Sequence, residues 1–166
     1  FTDNFDEQTM LDMVKLGHNV IVTRTFSKIH GLAGVRLGYA IARPDIAERI
    51  SSVKMCKFQG PLAVSAANAS LDDEEFRDYC RERTSEGRAM VHQLCDDLGL
   101  EHTDAVGNFS FIDPKMSNDS FKKRMLSFGL EATRPFPPKP DWARVTIGTT
   151  EEMKVFTEAL PRIVNA

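Results

Sequence analysis

The chain has 166 residues, 42% apolar and 27% charged, with a formal net charge of −3 at pH 7. This is the balance of an ordinary globular protein that can bury a core, and a mild negative charge without a basic block argues against a nucleic-acid partner. No apolar run approaches the roughly 18 residues of a membrane helix, and three cysteines (Cys56, Cys80, Cys95) without C-x-x-C spacing point to reduced thiols in the cytoplasm, not to disulfides or a zinc site.

In chain order, Asp6 to Leu16 reads as a helix closed by Gly17. Asn19 to Thr25 is expected to be a buried strand, because it is a short continuous apolar run rich in Val and Ile. A glycine-rich turn follows, then a second strand from Leu37 to Ala42. Pro44 opens a helix that carries Ile46, Ile50 and Val53 at helical spacing. Phe58 to Pro61 breaks it, and Leu62 to Leu71 is a helix of small residues. Asp72 or Asp73 caps a long helix that runs to about Leu98 and ends at Gly99. Phe76, Cys80, Gly87, Met90, Val91, Leu94 and Leu98 trace its expected apolar stripe. Such a helix would span about 40 Å, long enough to join two domains, with the boundary in its first half.

Beyond it the pattern alternates. Asn108 to Ile112 is a strand, Ser117 to Phe128 a helix closed by Gly129, Leu130 to Arg134 a strand and Phe136 to Pro140 a stiff loop. Trp142 to Ile147 is a strand in which Ala143, Val145 and Ile147 face the core and Arg144 faces away. Thr149 to Glu152 is a capping box opening the last helix, which Pro161 is expected to bend. The expected organisation is residues 1–78, the remainder of a cofactor-binding α/β domain and the start of the linker helix, and residues 79–166, a small α+β domain.

The chemistry concentrates in the turn between the first two strands. It holds Thr25, Ser27, Lys28 and Arg36, with glycines at Gly31, Gly34 and Gly38. A lysine amine in a partly desolvated place can attack a carbonyl and form a Schiff base. A guanidinium and two hydroxyls suit a phosphate, and glycines let a ligand come close. These residues together point to a ligand with both an aldehyde and a phosphate, such as pyridoxal phosphate. The competing reading is a solvated surface lysine in an ordinary turn; neither a Walker loop nor G-x-G-x-x-G is present. Arg144 offers a second site, a planar fork on a rigid strand suited to a carboxylate. Its competing reading is a solvated arginine on a sheet face.

The run Ser27-Lys28-x-x-Gly31-Leu32-Ala33-Gly34-x-Arg36-x-Gly38-Tyr39 resembles the lysine motif of the class I/II aminotransferases, particularly the histidinol-phosphate aminotransferase-like branch. Trp142-x-Arg144-Val145-Thr146-Ile147-Gly148-Thr149-x-Glu151-Glu152 resembles that family's carboxylate-binding segment, and Gly129 to Pro135 the strand before it. The resemblance implies an α/β fold, the C-terminal part of a fold-type I pyridoxal-phosphate-dependent transferase, with the end of the large domain plus the small α+β domain. It implies that Lys28 forms a Schiff base with pyridoxal phosphate, that Ser27 and Arg36 hold its phosphate, and that Arg144 binds the substrate α-carboxylate. It further implies that Arg134 accommodates the substrate's far end and that Asn108 contacts substrate or holds the domain junction. The reaction implied moves an amino group between an amino acid or amino-phosphate and a 2-oxo acid, in a homodimer.

The family's Asp-x-x-Tyr motif and phosphate cup precede the lysine motif and do not occur in this sequence, so the chain is expected to be part of a longer enzyme. Two other readings stand beside transamination: a lyase or decarboxylase on the same fold, and an incomplete chain that only folds and associates. The proline-rich loop from Phe136 departs from the family pattern and is expected to alter the specificity pocket. His30 is expected to be structural.

Overall fold

The computed structural model describes all residues except 3–6, 8, 55–57, 132–134 and 166. It divides into two compact units, residues 3–79 and residues 80–166 together with Phe1–Thr2.

The first unit holds α1 (Leu11–Lys15), β1 (Val22–Thr25), a 3-10 turn (Ala33–Val35), β2 (Gly38–Ile41), α2 (Pro44–Val53), α3 (Pro61–Asp72) and the start of α4 (Glu74–Asp97). β1 and β2 pair antiparallel in a two-stranded sheet, from Val22 opposite Ile41 to Thr25 opposite Gly38. Prolines at the start of α2 and α3 occupy the turn where a missing N–H is harmless. Asp73 caps α4, its Oδ1 accepting from the Phe76 N–H at 3.0 Å.

One expectation fails here. The run from Asn19 to Thr25 is not a buried strand: within β1 only Val22 is buried, and Ile21 just before it is 49% exposed. Burial of both faces of a strand needs a layer packed on each; among the described residues β1 is paired with β2 alone, which covers an edge and not a face, and its apolar run lies partly open.

The second unit comprises most of α4, β3 (Phe109–Ile112), α5 (Asn118–Ser127), β4 (Ala143–Thr146) and α6 (Thr150–Val164). β3 and β4 pair antiparallel, Phe109 opposite Thr146 and Phe111 opposite Arg144. Ser110, Ile112, Ala143 and Val145 face inward onto Val91, Cys95, Phe121, Phe156, Leu160 and Ile163. Full burial of each large apolar side chain is worth about 2 kcal/mol. Burial pushes the Cys95 thiol up to about 11, as suits an inert core residue. Asn118 ties α5 to β4 through Nδ2, which donates to the Trp142 carbonyl at 3.3 Å.

The apolar stripe of α4 is shorter than its sequence promises. Its buried residues are Gly87, Arg88, Val91 and Cys95, all in the C-terminal part, whereas Phe76 is 39% exposed. At Gly87 a Cβ would stand 2.7 Å from Ile147 Cγ2, so glycine permits this close approach of helix and strand end. The strand expected from Leu130 falls mainly on residues 132–134, outside the described residues; Leu130 and Glu131 are not in a strand. α6 continues through Pro161 to Val164. No helix among the described residues is long and apolar enough to cross a membrane, and no group of three or more His, Cys, Asp or Glu among them could hold a metal.

Candidate functional site

The lysine turn is fixed by its neighbours. Phe26 is 3% exposed and packs its ring on His30 (centroids 4.9 Å apart) and Tyr39 (5.6 Å). Its N–H donates to the Leu37 carbonyl at 3.1 Å, and its carbonyl accepts from the Leu32 N–H at 3.0 Å. Gly31 sits at φ +67°, the left-handed region that glycine tolerates, and its N–H donates to the Lys28 carbonyl at 2.9 Å. A buried aromatic residue and three backbone bonds thus hold a tight turn with Lys28 exposed on it.

Beside the lysine lies a linked set of polar groups. Thr25 Oγ1 accepts from the Ser27 N–H at 3.0 Å. Arg36 Nη1 donates to Ser27 Oγ at 3.4 Å and to the Ala33 carbonyl at 2.8 Å. Arg36 has φ 56° and ψ 48°, a left-handed conformation that strains a residue bearing a Cβ. At Gly38, opposite Thr25, a Cβ would stand 2.6 Å from the Arg24 carbonyl oxygen, so this close pairing of β1 and β2 requires glycine. Thr25, Ser27 and Arg36 therefore come together, with Lys28 adjoining Ser27. Two hydroxyls and a guanidinium are the donor set for a phosphate, and the Lys28 amine beside them is exposed rather than partly desolvated as the sequence reading required. The donor set fits pyridoxal phosphate.

His30 makes no part of that set. Its Nδ1 lies 2.7 Å from Ser70 Oγ, and burial pushes its pKa below the ordinary value. Its contacts are those of a residue tying the turn to α3.

In the second unit Arg144 stands half-buried on the outer face of β4, its guanidinium carbon 4.3 Å from the centre of the Phe109 ring. Asn108 extends the ladder: its carbonyl accepts from the Ile147 N–H at 2.9 Å. Arg88 Nη1 holds the residue before it, donating to the Gly107 carbonyl at 3.0 Å. A cavity of about 470 Å³ runs beside β4, lined by Arg144 and by Met125, Leu130, Val145, Met153 and Phe156 among others. Arg134 lies outside the described residues. Lys28 and Arg144 belong to different units, each described within its own.

Sequence reading missed the aromatic surroundings of Arg144. Phe109 edges onto Phe111 (5.8 Å, 87°), and Phe111 onto Phe136 (5.5 Å, 80°). The signal was the i, i+2 pair of phenylalanines on one strand, but its meaning depends on the register that sets Phe111 opposite Arg144.

A family model described as aminotransferase class I and II matches residues 2–160. Histidinol-phosphate aminotransferase of Brevibacillus brevis is 37% identical over 147 residues, covering 88% of this chain and 40% of that protein. A crystal structure from Erwinia carotovora atroseptica superposes with a TM-score of 0.89 at 29% identity, over 95% of this chain and 46% of that one. That of histidinol-phosphate aminotransferase from Sinorhizobium meliloti, in complex with pyridoxal-5'-phosphate, gives a TM-score of 0.77 at 27% identity, over 89% and 41%. The chain spans 40% of the length of the first curated relatives it matches.

Proposed function

Because this chain belongs to the class I and II aminotransferases of fold type I, we propose that the protein moves an amino group between an amino acid or amino-phosphate and a 2-oxo acid. The named relatives, histidinol-phosphate aminotransferases at 35% and 37% identity, favour amino transfer over a lyase or decarboxylase reaction. The observation that carries the reading is the grouping of Thr25, Ser27 and Arg36 beside the exposed Lys28.

Pyridoxal phosphate, when bound, supplies a carbonyl that accepts an amino group and a ring that withdraws electrons from the reacting carbon. Lys28 would carry it through Nζ, and Ser27 Oγ, Thr25 Oγ1 and the Arg36 guanidinium would hold its phosphate. Arg144 docks the substrate α-carboxylate through its in-plane N–H groups. Lys28 Nζ, once free of the cofactor, takes the proton from the substrate Cα as a general base and gives it up again as an acid. Arg134 is assigned to the far end of the substrate, and Asn108 to substrate contact or to a structural role at the domain junction. One amino acid leaves as its 2-oxo acid, and a second 2-oxo acid leaves as its amino acid.

A homodimer in the cytoplasm completes the proposal. It is supported by strongly exposed apolar side chains in the first unit, Phe58 at 86% and Leu62 at 88%, and by the free, buried thiol of Cys95. The test is turnover by Lys28→Ala with an amino acid and 2-oxoglutarate. Loss of transamination by about four orders of magnitude is expected for removal of the proton-transferring amine, and turnover within tenfold of the unmodified protein would reject the assignment.

A further inference from the structure

We infer that Phe109 is a positioning residue for Arg144, held in place by a brace of aromatic rings that ends on the proline-rich loop; this rests on the reading of Arg144 as the carboxylate dock. The Arg144 guanidinium lies with its carbon 4.3 Å from the Phe109 centroid. A guanidinium meets an aromatic ring through its flat face, whereas a carboxylate takes the N–H groups at its edge. Both contacts can be made at once, and the first limits the directions in which the second can point. An arginine side chain otherwise has several rotatable bonds to order when substrate binds.

The ring under Arg144 is itself restrained. Phe111 edges onto it at 5.8 Å, and Phe136 edges onto Phe111 at 5.5 Å, both near perpendicular. Pairs of this kind hold orientation beyond the area they bury. The turn that carries Phe136 is closed by the Lys139 N–H on the Phe136 carbonyl (3.1 Å) and the Trp142 N–H on the Lys139 carbonyl (3.2 Å). Lys139 Nζ also lies over the Trp142 ring, 3.3 Å from its centroid. The proline-rich loop thus has work: it anchors the outermost ring of a line leading back to Arg144.

The test is steady-state kinetics of the intact protein with a 2-oxo acid, comparing Phe109→Leu, Phe109→Tyr, Phe136→Leu and Arg144→Lys. Phe109→Leu is expected to raise KM about fivefold, the size of one cation–π contact, with kcat little changed. Phe109→Tyr keeps the ring face and should keep KM. Phe136→Leu should raise KM about twofold, since it loosens the brace without removing the stack. An unchanged KM in Phe109→Leu, or an equal rise in Phe109→Tyr, overturns the inference. If Phe109→Leu fails to fold, Phe136→Leu decides, and an unchanged KM there overturns it. Arg144→Lys separates the two layers. If it leaves KM unchanged, the carboxylate dock itself is wrong; if it raises KM while Phe109→Leu does not, only the role of the ring is lost.

Discussion

Arg36 reaches back across the turn to Ser27, its Nη1 donating to Ser27 Oγ at 3.4 Å, from a backbone held in the left-handed region at φ 56°. Strain of that kind persists where the surroundings over-determine it and often marks a ligand site. Arg36→Ala keeps the strain and removes the guanidinium, whereas Arg36→Gly removes both. The glycine variant should therefore be more stable than the alanine variant by about 1 kcal/mol, read from urea midpoints. Both should bind pyridoxal phosphate at least about tenfold more weakly, the loss of one charged hydrogen bond. Equal stability would mean the backbone there is not strained; unchanged binding would remove Arg36 from the phosphate site.

His92 and His102 stack with centroids 4.2 Å apart, and His92 Nε2 lies 2.9 Å from Ser110 Oγ. Burial, and then the neighbouring His102 and Arg88, push His92 below its ordinary 6.5, against the opposing pull of Asp104 and Asp96. His30 is lowered too, chiefly by burial. Between each lowered value and 6.5 the folded state binds fewer protons than the unfolded chain, so stability rises with pH there. It is fully present above 6.5 and lost progressively below it. Urea midpoints measured from about pH 7.5 to about pH 5.5 should fall, and His92→Gln should flatten part of the decline. A His92→Gln slope equal to that of the unmodified protein would count against the histidine stack as its source.

Thr149 and Glu152 cap α6 reciprocally: Thr149 Oγ1 accepts from the Glu152 N–H at 3.2 Å, and Glu152 Oε2 accepts from the Thr149 N–H at 2.8 Å. Thr149→Ala should cost about 1 kcal/mol, and Thr149→Ser should restore most of it. An alanine variant as stable as the parent would show that packing of Phe156, Leu160 and Ile163 alone fixes the helix start.

These three cases differ in how far the sequence reveals them. The capping box is readable because all its parts lie within four residues. The inward alternation of Ala143, Val145 and Ile147 is readable for the same reason, since a strand's period is local. The pairing of His30 with Ser70, 40 residues apart, is not, and neither is the stacking of Phe109 on Arg144, which depends on the register of two strands. The left-handed backbone of Arg36 is hidden as well, because only glycine announces that conformation in a sequence. The apolar run of β1 misled, since hydrophobicity tells how well a strand can be buried and not which layers are present to cover it. The lysine motif itself was legible as an ordered string of residue types, but its grouping of Thr25, Ser27 and Arg36 becomes visible only in three dimensions.

The central claim is that Lys28 carries the cofactor. The most direct measurement is borohydride reduction after incubation with pyridoxal phosphate, followed by peptide mass mapping. A single pyridoxyl adduct on the peptide containing Lys28, weakened by Arg36→Ala, is the predicted result. Adducts scattered over many lysines, or one on another lysine with Lys28 unmodified, would contradict it.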